Sequence, residues 1–319
     1  MVAAGTVHEG AALRAALGNE GAHLNILPLL GIVAEEDATV CLNHNLIPLV
    51  QSVQAASWLK NAYSGKTPLP VAVKVETGMS RLGFRHDGLR GIIEMLKSSP
   101  NLLPAYLLSH LAAADDPAQE ESVLEQAVWF MEAFAAFHDE WPAIIPSLAN
   151  SAGFLAREKL LSDMPPHLAR PGYALYGGNP FAGNAWERYG AHLTPVMSVY
   201  APVLGVHVLS KGGTASYGRT FIAPKEMKIA VIGAGYSDGF SRGLSSKGRV
   251  SVNGVQCPVL GRVCMQMHIV DVSHVPDVAY GDKAHILGGA ISMEDIAEDW
   301  ETIPYEVFCL LGKNTREYV

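Results

Sequence analysis

Through the first half of the chain, short apolar runs alternate with stretches whose apolar positions recur at i, i+3 and i+4. The runs Val2–Val7, Asn25–Leu30, Thr39–Leu42, Val71–Val75, Ala105–Ser109, Ile144–Ser147 and Leu168–Leu175 predict strands, and helical spacing is clearest over Gly88–Lys97 and Gln119–Phe137. Strand, helix and strand repeated in this way imply parallel pairing with right-handed crossovers. Seven strands are one short of the eight that close a (β/α) barrel. The character changes near Tyr189. Short strands separated by turn residues follow: Val196–Leu209, Lys228–Ile232, Arg249–Val252, Gln256–Val259, His268–Val272 and Lys283–Leu287. Asn253-Gly254 marks a hairpin, because both residues tolerate positive φ. The expectation is α/β, with a barrel-type domain over residues 1–188 and a mostly β domain over 189–319.

Composition narrows the class. Hydrophobic residues make up 49% and charged residues 17%, a balance that suits a large buried core and argues against disorder. The net charge of −8, without a basic stripe, argues against a nucleic-acid partner. No apolar stretch is long enough for a membrane span, and His8 and Glu9 interrupt the start where a signal peptide would need apolar residues. Cys41, Cys257, Cys264 and Cys309 have neither paired metal spacing nor a disulfide framework, so reduced thiols and a cytoplasmic location are expected. The histidines form no HExxH, and no metal is expected.

Several segments carry candidate chemistry. Lys74 and Arg81 lie in Val73-Lys74-Val75-Glu76-Thr77-Gly78-Met79-Ser80-Arg81-Leu82-Gly83, which leaves a strand at the end where a barrel builds its active site. Ser109-His110 closes another strand, Asn150-Ser151 ends the next and opens a helix, and Arg170-Pro171-Gly172 comes from the last. Ser151 and Gly172 fall in the loops that barrels use for phosphate. In the second domain Tyr217 sits at a loop tip, and a tyrosine serves as a base only where cations stabilise its phenolate. Each also has a plain structural reading: solvated charges at Lys74 and Arg81, a structural His110, a helix cap at Ser151, an irregular strand end at Gly172, a loop aromatic at Tyr217. Gly233-Ala234-Gly235-Tyr236-Ser237-Asp238-Gly239 is not a dinucleotide fingerprint, since its third glycine is one residue late and no βαβ unit follows.

Taken in order, Lys-x-Glu-Thr-Gly-Met-x-Arg-Leu-Gly, Ser-His, Ala-Asn-Ser, Arg-Pro-Gly, Ser-Tyr-Gly, Gly-Tyr-x-Asp-Gly and Gly-Arg-Val-Cys-Met resemble the alanine racemase family over nearly the whole chain. The resemblance implies a (β/α)8-type barrel missing its first βα unit, followed by a mostly β C-terminal domain. It implies pyridoxal 5′-phosphate as cofactor, alanine racemisation for peptidoglycan precursor supply, and a head-to-tail homodimer with shared sites. Arg170 would face the pyridine nitrogen, and His110 with Arg170 would form a polar chain toward Tyr217, the base on one face of the substrate Cα. Arg81 would contact the cofactor's phenolic oxygen and the substrate carboxylate, and a carbamylated Lys74 would orient it. Ser151 and the Gly172 amide would hold the phosphate, Met265 would offer its backbone amide to the substrate carboxylate, and Tyr236 would line the entrance.

Three departures accompany the resemblance. The family's cofactor lysine lies in a Lys-Ala-x-Ala-Tyr-Gly-His-Gly segment of its first strand, which this sequence does not contain, so impaired racemisation is expected. Gln266 replaces the usual Asp after Cys-Met, and Lys313 stands where some members place a phosphate-binding Tyr. Two other readings stay open at this level: a non-catalytic homologue binding an anion or partner, and a racemase of the same fold acting on another amino acid.

Overall fold

Several helices in this chain begin where a side-chain oxygen meets free backbone N–H groups. In the computed structural model, which describes residues 1–315 and 317, Thr6 accepts from the Glu9 N–H while Glu9 accepts from the Gly5 and Thr6 N–H groups. That reciprocal cap opens α1 (Val7–Leu17). Ser52 caps α3 (Val53–Ala62) from one side only, its hydroxyl accepting from the Ala55 N–H at 3.1 Å, and Asp37 holds the N–H groups of Val33 and Ala34 ahead of α2 (Glu35–Asn43).

The chain divides into two compact units, Met1–Ala174 with Gly183–His192, and Leu175–Ala182 with Leu193–Val319. The expected boundary at 188/189 falls within Gly183–His192. In the first unit β1 (Val2–Ala4) and β2 (Ile26–Pro28) pair in parallel. β3 (Leu49–Val50), β4 (Leu69–Lys74), β5 (Leu102–Leu108) and β6 (Ile145–Ser147) form a parallel sheet in chain order. Helices α4 (His86–Lys97) and α5 (Glu120–Glu140) cross between its later strands. Val71, Ala72 and Val73 are all fully buried, as a parallel strand covered on both faces requires. The unit is a barrel-type domain in which strands and helices alternate.

Two expected strands are corrected. Thr39–Leu42 lies inside α2: Glu35, Glu36 and Asp37 suit a helix N-terminus, and Ala38 and Cys41 bury one face at i, i+3. The third strand is instead the two-residue β3. Leu168–Leu175 forms no strand, although Leu168 and Arg170 donate to the Pro146 and Ala149 carbonyls at 2.9 and 2.8 Å. Pro171 then removes a ladder donor and Gly172–Leu175 turns helical. Val7, expected in the first strand, starts α1; with β3 in place of Thr39–Leu42 and no strand at Leu168–Leu175, six strands rather than seven lie in this unit.

The second unit is a six-stranded antiparallel sheet. Its strands are β7 (Val199–Leu209), β10 (Met227–Ile232), β11 (Arg249–Val252), β12 (Val255–Pro258), β13 (His268–Asp271) and β14 (Lys283–Leu287), ordered β12-β11-β14-β7-β10-β13. A two-residue pair, β8 (Thr214–Ala215) with β9 (Phe221–Ile222), stands beside it in sequence. Asn253 and Gly254 both adopt positive φ (49° and 80°) in the hairpin between β11 and β12. Val203, Ala230, Ile232, Val250, Val252 and Val270 centre the core. The helix Met293–Trp300 packs there through Ile296 and Ala297 and is tied to β11 by a two-pronged Arg249–Asp299 bond at 2.8 and 2.7 Å. The helix Pro304–Leu311 starts on a proline, which gives up an N–H that a first turn cannot use.

Candidate active site

Lys74 ends β4, and the chain then loops out and returns, Phe84 bonding to the Lys74 carbonyl and Glu76 to the Phe84 carbonyl, both at 2.9 Å. The return passes so close that a side chain at Gly83 (φ 119°) would lie 2.8 Å from the Lys74 oxygen, so glycine is required. Inside the loop the Glu76 carboxylate accepts the Gly78 and Ser80 N–H groups at 2.7 Å each. Burial would raise that carboxyl, but these N–H groups and Arg85 hold it below the ordinary carboxylate value. The loop tip carries Arg81.

Beside it, the ends of β5 and β6 are joined by Arg170. Its guanidinium donates to the Ser147 carbonyl at 3.0 Å, to the Ser147 hydroxyl and to the Ser109 carbonyl, and Nη2 lies 3.4 Å from His110 Nδ1. Burial lowers the Arg170 pKa only to about 10, so it stays cationic near neutrality. An arginine can only donate, which makes His110 Nδ1 the acceptor and leaves the proton of the neutral ring on Nε2. Burial first, then the charges of Arg170, Arg81 and Lys74, push the His110 pKa down to about 4.

These side chains surround a cavity of about 280 Å³ lined by Gly5, Leu29, Leu30, Leu49, Lys74, Arg81, Leu82, Leu108, Ser109, His110 and Arg170. Its wall is drawn from β3 and from the C-terminal ends of β1, β2, β4 and β5, the face on which barrel enzymes build their sites. Three cations and no carboxylate line it, so it suits an anionic, partly apolar ligand. Lys74, Arg81, His110 and Arg170 are therefore brought together. Burial, then Arg81 and Arg170, lower the Lys74 pKa to about 8, leaving part of its amine neutral at physiological pH.

Ser151 and Gly172 do not line this cavity. Ser151 is buried at the first turn of a short helix, its hydroxyl accepting from the Ala174 N–H at 3.1 Å, and the Gly172 N–H donates to the Arg170 carbonyl at 2.9 Å.

Tyr217, Tyr236 and Met265 belong to the second unit, on three loops that knit together. Ser216 donates to the Arg262 carbonyl, Tyr236 N–H to the Cys264 carbonyl at 3.1 Å, and both the N–H and hydroxyl of Ser237 to the Met265 carbonyl at 2.9 and 2.8 Å. A Cβ at Gly235 would lie 2.2 Å from the Cys264 oxygen, so the Tyr236 and Met265 loops touch through backbone. Tyr217 is 72% exposed, and Tyr236, Met265 and Gln266 are exposed too, which groups reactive and apolar side chains at one end of this unit. Underneath, His268 is fully buried, stacked on Phe240 at 4.3 Å, and its Nδ1 bonds the Ala234 carbonyl at 2.7 Å.

Residue-type reasoning missed Gln126 and His268, and gave no role to Thr77 and Ser109, which lie inside the quoted segments. Thr77 and Ser109 hydroxyls meet at 2.7 Å, and Gln126 touches both strand-end loops. The available signal was a polar residue on the stripe Val123, Gln126, Ala127, Phe130 that α5 buries.

His268, buried, and His110, half-buried, should make the protein acid-labile. Burial pushes His268 down to about 4, against the Ala234 bond, and His110 is also near 4, from an ordinary value of 6.5. Below pH 6.5 the unfolded chain takes up protons that the folded chain refuses. Stability is therefore fully present above 6.5 and falls as pH drops toward 4, by about 1 kcal/mol per histidine for each pH unit. Melting temperatures measured from pH 7.5 to 4.5 should decline, and H268Q, which keeps a donor toward Ala234, should flatten the slope. An equal slope in H268Q would contradict the assignment.

Comparison with known proteins adds an independent line. Residues 1–180 match the family model described as alanine racemase, N-terminal domain, and residues 196–319 match alanine racemase, C-terminal domain. An alanine racemase of Nitratidesulfovibrio vulgaris (strain DSM 19637 / Miyazaki F) is 44% identical over 99% of this chain and 84% of its own length. One from Lawsonia intracellularis is 40% identical over 98% and 82%. Among solved structures, alanine racemase from Bartonella henselae with covalently bound pyridoxal phosphate superposes with a TM-score of 0.82 at 30% identity, covering 97% of this chain and 82% of that one. The enzyme from D-cycloserine producing Streptomyces lavendulae gives 0.85 at 26% identity, covering 97% and 80%.

Proposed function

Because the chain belongs to the alanine racemase family, we propose that it holds pyridoxal 5′-phosphate in the cavity of its first unit and interconverts L- and D-alanine, the D-isomer serving peptidoglycan precursor supply. One observation carries the reading: Lys74, Arg81, Arg170 and a neutral His110 converge on a cavity without a carboxylate. The donor set fits the cofactor. Arg170 is a half-buried cation bonded to carbonyl and hydroxyl oxygens, and the group it can still serve is an acceptor such as an unprotonated pyridine nitrogen. The Ser151 hydroxyl accepts from Ala174 and keeps its own proton for a phosphate oxygen. The Gly172 N–H would exchange the Arg170 carbonyl for the phosphate.

Bound pyridoxal 5′-phosphate supplies an electron-withdrawing ring that acidifies the Cα–H of the amino acid it carries. Arg170 cannot hand a proton to the ring nitrogen, because its guanidinium stays charged. His110 accepts from Arg170 at Nδ1 and keeps its Nε2 proton. Arg81 takes the substrate carboxylate and the ring's phenolic oxygen. Carbon dioxide adds to the neutral Lys74 amine with loss of one proton, and the resulting carbamate anion orients Arg81. Racemisation needs proton exchange on both faces of Cα; Tyr217 is assigned one, and the lysine that the family uses for the other is not among these residues, so slow exchange is expected of this chain. Met265 offers its backbone N–H to the carboxylate and Tyr236 lines the entrance. A head-to-tail homodimer, in which Tyr217 and Met265 serve the cavity of a second copy, and a cytoplasmic location complete the reading. Among the described residues no helix is long and apolar enough to cross a membrane.

Titrating the purified chain with pyridoxal 5′-phosphate and following the quenching of intrinsic fluorescence tests this directly. Saturable binding opposed by inorganic phosphate is expected, together with exchange of the alanine α-proton in deuterated water, read by NMR. Absence of both binding and exchange would overturn the reading.

A further inference from the structure

Gln126 lies outside every motif above, yet its side chain is 3% exposed on the core-facing stripe of α5. A carboxamide in such a place is costly unless its polar atoms are satisfied. Here Oε1 accepts the Ala112 N–H at 2.9 Å, while Nε2 donates to the His110 carbonyl at 3.2 Å and reaches Thr77 Oγ1 at 3.4 Å. The geometry has a specific meaning. In a parallel ladder one residue's N–H and C=O bond the carbonyl and N–H of the residues flanking its partner. His110 and Ala112 flank Leu111, so the Gln126 carboxamide takes the part of a neighbouring strand's peptide group just beyond β5, where the ladder has ended.

The same amide also touches the loop after β4. A Cβ at Gly78 would sit 3.0 Å from Gln126 Cγ, and Thr77 passes the contact to the Ser109 hydroxyl at 2.7 Å. Ser109 in turn offers its carbonyl to Arg170. One side chain therefore spans the two loops that carry Arg81 and His110.

We propose that Gln126 is a positioning residue, a side-chain substitute for a missing strand partner that fixes the backbone at His110 and holds the β4 and β5 loops in the register that places His110 Nδ1 against Arg170. Its chemistry admits no close replacement: an apolar side chain loses both prongs, and a carboxylate keeps the acceptor but turns the His110 carbonyl contact repulsive. What the cavity binds rests on the racemase reading, whereas the positioning itself does not.

The test uses the full chain with ¹⁵N-labelled histidine. In the wild type, His110 should show a single neutral tautomer protonated at Nε2. In Q126L and Q126E at pH 7.5 that signature should give way to a tautomer mixture, and pyridoxal 5′-phosphate binding should weaken roughly 10-fold, the worth of one hydrogen bond. Lowering the pH should restore the single tautomer in Q126E as its carboxyl takes up a proton and becomes a donor, a rescue that simple loss of packing would not give. If Q126L does not fold, Q126E carries the test alone. An unchanged His110 signature in the variants, or no rescue of Q126E by acid, overturns the proposal. Failure of the wild type to bind pyridoxal 5′-phosphate, with the tautomer signature behaving as expected, sinks the cofactor reading and leaves this one standing.

Discussion

Arg170→Leu should abolish pyridoxal 5′-phosphate binding and lower the stability of the first unit by roughly 3 to 5 kcal/mol, a fall of roughly 10 °C in its melting transition. The reason is local. Arg170 supplies donors to the Ser147 carbonyl and hydroxyl, the Ser109 carbonyl and the His110 ring. Leucine leaves buried carbonyls without a partner and removes the cation that faces the cavity. Arg170→Lys separates the two effects: it keeps the charge, but a single ammonium cannot span both strand ends as a planar fork does. Lysine should recover part of the stability and little of the ligand affinity. Calorimetry and a ligand titration on the same samples read both quantities, and wild-type affinity in R170L would contradict the assigned role.

Tyr217→Phe should slow exchange of the alanine α-proton by about 10²- to 10⁴-fold while leaving stability within about 0.5 kcal/mol. The ring is largely exposed on a loop whose shape is set elsewhere. Ser216 and Arg219 hold positive φ, and the Ser216 hydroxyl bonds the Arg262 carbonyl. Losing one phenolic oxygen there removes chemistry and not packing. A base that serves one face of Cα also predicts an asymmetry, since exchange from one enantiomer should fall more than exchange from the other. Separate measurements on L- and D-alanine in deuterated water read this. Equal, undiminished rates for both would remove Tyr217 from the mechanism.

Much of the second unit was legible because an antiparallel sheet announces itself through alternation and turn chemistry. Asn253-Gly254 marked a hairpin that forms with both positive φ values, and six strand positions fell within a few residues of those expected. The first unit was harder for physical reasons. A short apolar run such as Thr39–Leu42 has no periodicity to separate strand from helix, and the acidic turn before it decided in favour of α2. The third strand has only two residues, Leu49 and Val50, directly after Pro48, too short to leave a pattern. At Leu168–Leu175 the expected ladder is cut by Pro171.

Within the site, the grouping of Lys74, Arg81, His110 and Arg170 was legible through the order of their motifs, with Lys74 ending β4, Arg81 and His110 on the loops after β4 and β5, and Arg170 on a segment that forms no strand. Gln126 was not, because its importance comes from what α5 crosses and no local spacing encodes that. His268 was equally silent: its role lies in a stack on Phe240 and a bond to Ala234, both distant in sequence.

The convergence of Lys74, Arg81, His110 and Arg170 on a phosphate-bearing pyridine is the claim on which the functional account depends. A crystal structure of the chain equilibrated with pyridoxal 5′-phosphate tests it most directly. The account predicts the ligand in this cavity, its ring nitrogen on the Arg170 guanidinium and its phosphate at Ser151 and Gly172. A ligand bound elsewhere, or seated here with its phosphate on Arg170, would contradict it.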